Sequence, residues 1–353
     1  MTLKSTGIIS LSEVQTEFGG ANPISMSEYY RGGAYVPNNY VNTTIPTSGA
    51  INYSTFYSSS SSALGINWTL LPTGLASNYS LVQIASNNTN LVVAVYQSGD
   101  IIYSDDYGAT WAVVSTSSTA NLWGCTYAAG YFYIVDDSGN RVQRSTDGVT
   151  WTTVLNVSSR DNHNINYNNG YFVLGSGASG GSGFIYSSTN GTTWVQSTNL
   201  GANSVFCGIY ISAIGRTFAA GSQYGYYVGT PNSTSSWSAA TGLAGSIRGV
   251  AWSPTAARAC VVSTNGRIYY STNLATWNEA INTGVALYNI QWCDNQFVAV
   301  GDSGKLLTST DGITWVTRTT GTTLSLRGVA SISTSSTAGA ALFVTAVTDF
   351  LRS

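Results

Sequence analysis

The chain is 353 residues long and only 8% of them are charged: 13 Lys and Arg stand against 15 Asp and Glu, for a formal net charge of −2. With so little charge and no basic cluster, nothing offers an electrostatic footprint for nucleic acid or an anionic membrane surface; solubility falls to the hydroxyl and amide side chains instead. Residues 1–7 (MTLKSTG) lack the apolar run of a secretory signal and no stretch reads as a membrane span, so synthesis and folding in a cytoplasm are expected.

Residues 1–58 carry a weak triple repeat, ISLSEV at 9–14, ISMSEY at 24–29 and INYSTF at 51–56. Each is predicted to begin as a strand of two or three residues and to meet a serine suited to a helix N-cap, with Ser12 and Gln15 at capping-box spacing. The first two helical turns should stop at Gly19-Gly20 and Gly32-Gly33, where glycine permits a left-handed cap. Three such units bury little apolar surface alone and are expected to gain stability by docking on something else. The serine run at 58–62 reads as a flexible hinge.

This pattern, ahead of an unrelated carboxy-terminal domain, resembles modules in tail and baseplate proteins of tailed bacteriophages. The resemblance implies a virion protein in several copies per particle, with residues 1–58 attached to other tail or baseplate proteins. Heptads and collagen-like repeats are missing from the sequence, which favours a compact tail-tip, baseplate or short-fibre component over a long trimeric fibre.

From residue 59 onward the sequence is organised by seven tryptophans, Trp68, Trp111, Trp151, Trp194, Trp237, Trp277 and Trp315, spaced 38 to 43 residues apart. A self-similar period near forty marks an array of like supersecondary units. In the unit before Trp315, YNIQWC (288–293), QFVAV (296–300) and KLLT (305–308) read as three short strands, the tryptophan segment as a fourth, and GDSG (301–304) as a hairpin turn. No sustained helical period occurs. Four-stranded units of this size stack radially, so the expected fold is all-β: a seven-bladed β-propeller over 59–353, plus the small amino-terminal module of short strands and helical turns. After Trp315 the chain supplies only three strands, at 326–331, 341–347 and 350–353. Residues 66–72, which match the tryptophan strand of the other units, are therefore predicted to complete the last blade in a two-ended closure.

Most tryptophans close one phrase, STDGVTW at 145–151, STNGTTW at 188–194, STNLATW at 271–277, STDGITW at 309–315 and a longer form ending at Trp111. These phrases look like Asp-box repeats, also called bacterial neuraminidase repeats, over roughly residues 60–353. In this reading Asp106, Asp147, Asn190, Asn273 and Asp311 accept backbone N–H groups across a turn, glycine supplies a positive φ, and Trp111, Trp151, Trp194, Trp277 and Trp315 pack over the outer edge. One carboxylate per phrase is too few for calcium, so no metal or other cofactor is expected.

The resemblance extends to sialidases, which use three arginines, a tyrosine paired with glutamate, and an acid/base aspartate. This chain has only Glu13, Glu17, Glu28 and Glu279; the first three precede the propeller and Glu279 follows Trp277 on an outer strand. No second acid is placed for glycoside hydrolysis, and the lone His163 between Asn162 and Asn164 has no partner set. Cys125, Cys207, Cys260 and Cys293 fall in four different units without C-x-x-C spacing, as buried free thiols would. No enzyme is expected.

Propellers bind ligands where first strands begin and second-to-third hairpins project. Alignment of the units places Trp123, His163, Arg248, Tyr288 and Arg327 at the starts of first strands, and Tyr96, Asp136, Asp137, Tyr224, Tyr226 and Asp302 in or beside the hairpins. The expectation is host-surface recognition, with a glycan as ligand and Trp123, Tyr288, Arg248, Arg327, Tyr96, Tyr224, Asp136 and Asp302 as candidate contacts. A purely structural virion propeller, a glycosidase, and a cellular assembly factor resembling photosystem-assembly propellers are the alternatives.

Overall fold

A computed structural model describes residues 10–20, 26–30, 35–36, 45–50, 69–72 and 80–352, apart from 107, 115–119, 138–139, 158–160, 178–182, 198, 202–203, 222–224, 231–236, 333–340 and 347–348. Trp68, Tyr224, Gly32-Gly33, the third amino-terminal repeat and the serine hinge lie outside the described residues.

The fold is an all-β propeller. The described strands form seven four-stranded antiparallel sheets. Their innermost strands run Leu81–Ser86, Leu122–Ala128, Asp161–Asn168, Val205–Ile211, Ile247–Ser253, Leu287–Cys293 and Leu326–Ile332, and each packs on the next around the ring, the last returning to the first. We number the sheets one to seven in that order. The second strand of a sheet is covered by a neighbouring sheet on each face and so reads as a continuous apolar run: Val92–Tyr96 (VVAVY) and Gln296–Gly301 (QFVAVG) are buried throughout. The fourth strands, such as Val316–Thr317, are exposed.

The core is divided among the seams between sheets. Seven separate hydrophobic clusters fill them among the described residues, for example Val93, Ile101, Phe132 and Ile134 between sheets one and two. The last sheet is built from both ends of the propeller: strand Thr69–Pro72 pairs antiparallel with Asp349–Arg352, placing Leu70 opposite Leu351 and Leu71 opposite Phe350. Phe350 is fully buried and stacks on Trp111 of sheet one, with ring centroids 4.2 Å apart and planes 16° apart.

Each tryptophan phrase is a closed local network. In STDGVTW, Asp147 Oδ1 accepts the backbone N–H of Val149 and of Thr150, both at 2.8 Å. Those bonds, Thr150 first, hold its carboxyl down to about 2. The buried Ser145 is a second hub, donating to Asp147 Oδ1 at 2.8 Å while accepting Gly148 N–H at 2.8 Å. The same serine bonds recur at Ser104, Ser188, Ser271 and Ser309. Asn190 and Asn273 replace aspartate because only one acceptor oxygen is required. The turn demands positive φ, 75° at Gly148 and 73° at Gly312, and STNLATW meets it with Leu274 at 65°.

One expectation about the phrases is corrected. The tryptophans do not cap the outer edge; Trp151, Trp194, Trp277 and Trp315 pack into the seam toward the preceding sheet. The short turn carries the side chain back onto that seam, and Trp151, Trp277 and Trp315 anchor there by donating Nε1–H to the carbonyls of Gly148, Leu274 and Gly312.

Among the described residues the amino-terminal module has an α-helix, Leu11–Phe18, and a 3-10 turn, Met26–Tyr29. Its N-cap is Ser10 rather than Ser12: Ser10 Oγ accepts Glu13 N–H and the Glu13 carboxylate accepts Ser10 N–H, a reciprocal capping box. Glu13 wins over Gln15 because it stands three residues past a serine with extended backbone. The helix stops at Gly19 and Gly20, with φ of 83° and 117°. Val14, Phe18, Tyr29, Val36 and Ile45 make a small core of the module's own.

Candidate ligand-binding mouth

All seven innermost strands slip register by one residue near their start. The unpaired residues are Val82, Trp123, His163, Phe206, Arg248 and Tyr288, with Arg327 and Gly328 sharing the irregularity in sheet seven. A bulge re-aims the side chain of its extra residue. Here the preceding residue is buried in every case, from Leu81 to Leu326, and the bulged residue of every sheet lines one central cavity of about 200 Å³.

Four sequence-predicted contacts, Trp123, Arg248, Tyr288 and Arg327, therefore meet at one mouth together with His163. Sequence reasoning missed Val82 and Phe206. Their signal was present, since LVQI and VFCG occupy the place of LWGC, IRGV, LYNI and LRGV, an apolar anchor followed by the mouth residue.

Hairpin carboxylates hold two of the aromatic rings. Tyr288 O–H donates to Asp302 Oδ2 at 2.9 Å, and Ser325 donates to the other oxygen of Asp302; burial first, and then Asp302, raise the Tyr288 pKa. Trp123 Nε1–H donates to Asp137 Oδ2 at 2.9 Å, beside Asn121 at 3.1 Å. Asp302 thus sits behind the mouth as a support.

Two candidates are corrected. Asp136 has a side chain only 1% exposed and is ion-paired to Arg141 Nε at 2.9 Å, while accepting the Arg141 backbone N–H. Strand alternation turns it away from the mouth and leaves Asp137 to face Trp123. Tyr96, the last residue of its strand, is 4% exposed and packs in the seam with Leu81 and Phe350; its ring is core. Tyr224 is outside the described residues.

Cations and aromatics interleave around the rim. The Arg248 guanidinium lies 3.9 Å from the Phe206 ring centroid, and that of Arg327 lies 3.6 Å from Tyr288. The Nε groups of both arginines are buried without a hydrogen-bond partner, as is His163 Nε2. Burial lowers the Arg248 pKa, and Arg327 pushes in the same direction. Burial and the neighbouring Arg248 bring His163 down to about 4, so its imidazole is neutral at ordinary pH. The floor is a buried bond from Asn289 Nδ2 to Gln83 Oε1, 2.9 Å, reaching from sheet six to sheet one past sheet seven. Gly328 makes room for it: a Cβ there would meet Gln83 Oε1 at 2.9 Å.

This arrangement can stack a ring and hydrogen-bond it. Its bordering acids already accept side-chain bonds. Among the described residues no three His, Cys, Asp or Glu converge to hold a metal ion. The four cysteines are free and buried; burial raises all four thiols, Cys207 to about 12. Glu279 pairs with Arg267 at 2.9 Å on an outer strand. No helix among the described residues is long and apolar enough to cross a membrane.

No protein-family model matches the chain, and no curated protein does. Solved propellers are similar in fold. YCF48 bound to D1 peptide is 17% identical with a TM-score of 0.61, covering 82% of this chain and 96% of that one. YCF48 from Cyanidioschyzon merolae is 15% identical at a TM-score of 0.58, covering 81% and 98%. Streptogramin B lyase is 12% identical at 0.66, covering 81% and 97%. At these identities the likeness is one of fold.

Proposed function

We propose that the chain is a bacteriophage virion protein of the tail tip, baseplate or a short fibre. Residues 1–58 dock it on neighbouring virion proteins, and a seven-bladed propeller closed by strands from both ends presents its central mouth to a saccharide on the host surface. The observation that carries the binding role is the convergence of seven bulged residues, three of them aromatic, on a single cavity. Aromatic faces suit sugar rings, and neutral amides such as Gln83 and Asn289 suit hydroxyls. The mouth binds without cleaving, because its hairpin acids are occupied in holding Trp123 and Tyr288. The virion role rests on the amino-terminal repeats.

The test has two arms. Mass spectrometry of purified particles should find the chain, and the full-length protein should bind host envelope at micromolar concentration and compete with phage adsorption. Absence from particles would sink the virion role; absence of binding would leave a structural propeller. The solved YCF48 carries a D1 peptide, which favours a second reading, a cellular peptide-binding assembly factor. That reading requires the chain to be missing from particles and to co-purify with a cellular protein.

A further inference from the structure

We infer that the propeller has a second ligand site, at the end of the ring opposite the mouth, which takes one ring of a neutral saccharide against Tyr167 and Trp292 and bonds its hydroxyls through Gln291, Asn166 and Asn168. The mouth lies at the starts of the inner strands. At the ends of those of sheets three, five and six a cavity of about 220 Å³ opens, with residues 166–169, 252, 254, 291 and 292 in its lining. The two cavities share no lining residue, so this site does not depend on what the mouth binds.

An aromatic row is built there. Four residues past the bulge, five consecutive sheets carry a ring: Tyr127, Tyr167, Tyr210, Trp252 and Trp292. Three of them sit opposite a phenylalanine of the next strand, Tyr127 on Phe132, Tyr167 on Phe172 and Trp292 on Phe297, each pair with centroids 4.8 Å apart. Those phenylalanines are fully buried, and a ring backed by a fixed ring loses little freedom when a ligand lands on it. Tyr167 and Trp292 stay half-buried and line the cavity, and Trp252 completes its wall.

Side-chain amides supply what a sugar hydroxyl needs, a donor and an acceptor side by side. Asn166 donates one N–H to the Val250 carbonyl at 3.4 Å, from sheet three past sheet four to sheet five, and Asn168 donates one to the Tyr210 carbonyl at 2.7 Å. Both keep an acceptor oxygen, while the half-buried Gln291 side chain makes no hydrogen bond among the described residues. Seam packing accounts for the rings; it does not account for an unbonded amide on a cavity wall, which a ligand hydroxyl would satisfy. None of the lining residues carries a charge, so an acidic ligand would meet amide oxygens and no cation.

The test follows tryptophan fluorescence of the full chain during titration with methyl pyranosides, comprising neutral hexosides, N-acetylhexosaminides and uronosides, with short peptides for comparison. Neutral pyranosides should change the emission, since Trp252 and Trp292 are at the site. Gln291→Ala should weaken their binding about tenfold, the loss of one hydrogen-bonding group, with Tm unchanged because no internal bond goes with it. Trp292→Leu, which keeps the seam covered and removes the stacking face, should weaken it by a similar factor.

Gln291→Ala and Trp292→Leu proteins that bind as wild type would overturn this inference, as would no response to any pyranoside. Loss of binding in Trp123→Ala alone would move the ligand to the mouth, ending this site and leaving the saccharide reading above intact. Uronosides bound as tightly as neutral sugars would overturn the neutral assignment, and peptides bound in place of sugars would overturn the saccharide class.

Discussion

Phe350→Ala tests how the ring is sealed. Phe350 is the one fully buried ring described in strand Asp349–Arg352, which lies between Thr69–Pro72 and Ala341–Ala346. It fills the seam with Leu81, Tyr96 and Ile102 of sheet one and stacks on Trp111 at 4.2 Å. Truncating a buried phenylalanine removes about 3 to 5 kcal/mol, and loss of a stacked aromatic partner places this site toward the upper end. Against a total stability of about 5 to 15 kcal/mol, that is a large share, and it corresponds to a fall of roughly 4 to 7 °C in Tm for a chain of this size. Guanidinium titration followed by tryptophan fluorescence, with calorimetry alongside, measures it. Trp111→Ala and the double variant complete a cycle whose coupling should be about 1 kcal/mol. A Phe350→Ala protein with an unchanged midpoint, or a coupling near zero, would refute the closure of sheet seven on sheet one.

Three further outcomes are expected. Removal of residues 60–72 leaves the edge of Asp349–Arg352 unpaired, so the truncated protein should melt lower and self-associate through that edge in sedimentation experiments; a monomer with normal Tm would contradict this. Ser145→Ala breaks bonds to both Asp147 and Gly148 and should lower stability by about 1 to 3 kcal/mol, whereas Thr146→Ala, at an exposed neighbour, should change little. His163 has a folded pKa of about 4 against 6.5 for an ordinary histidine. The unfolded chain therefore binds this proton first, and stability should be flat above pH 7 and fall as pH drops from 6.5 toward 4, by about 3 kcal/mol in all. His163→Gln should abolish that component, and identical acid-denaturation profiles of the two proteins would refute the buried neutral imidazole.

The comparison of sequence with structure divides along the range of the forces involved. The tryptophan phrases were legible because their bonds close within four residues: a short acceptor, a positive-φ position and a serine suffice, whatever surrounds them. The count of strands after Trp315 likewise pointed to a closing strand near residue 70, since an antiparallel sheet with an open edge seeks a partner. The starts of the inner strands carried a readable phrase, an apolar anchor and then a variable residue, which brought Trp123, Arg248, Tyr288 and Arg327 onto one list.

Facing was decided only by the tertiary structure. Asp136 and Asp137 are adjacent and chemically alike, yet strand alternation sends one to Arg141 and the other to Trp123. Tyr96 and Tyr288 both looked available; pairing of Tyr96 with Leu81 buries its ring in a seam, while the slip at Tyr288 releases the other to the mouth. The tryptophans needed the neighbouring sheet before their direction was defined. A residue's type and local turn are written in its near neighbours, but the side of the sheet it faces depends on register with strands ten or more residues away and on sheets across the ring. By itself the sequence determined the repeated unit, its turns and where a closing strand was needed; the folded ring decided that the bulged residue of each sheet faces one shared cavity.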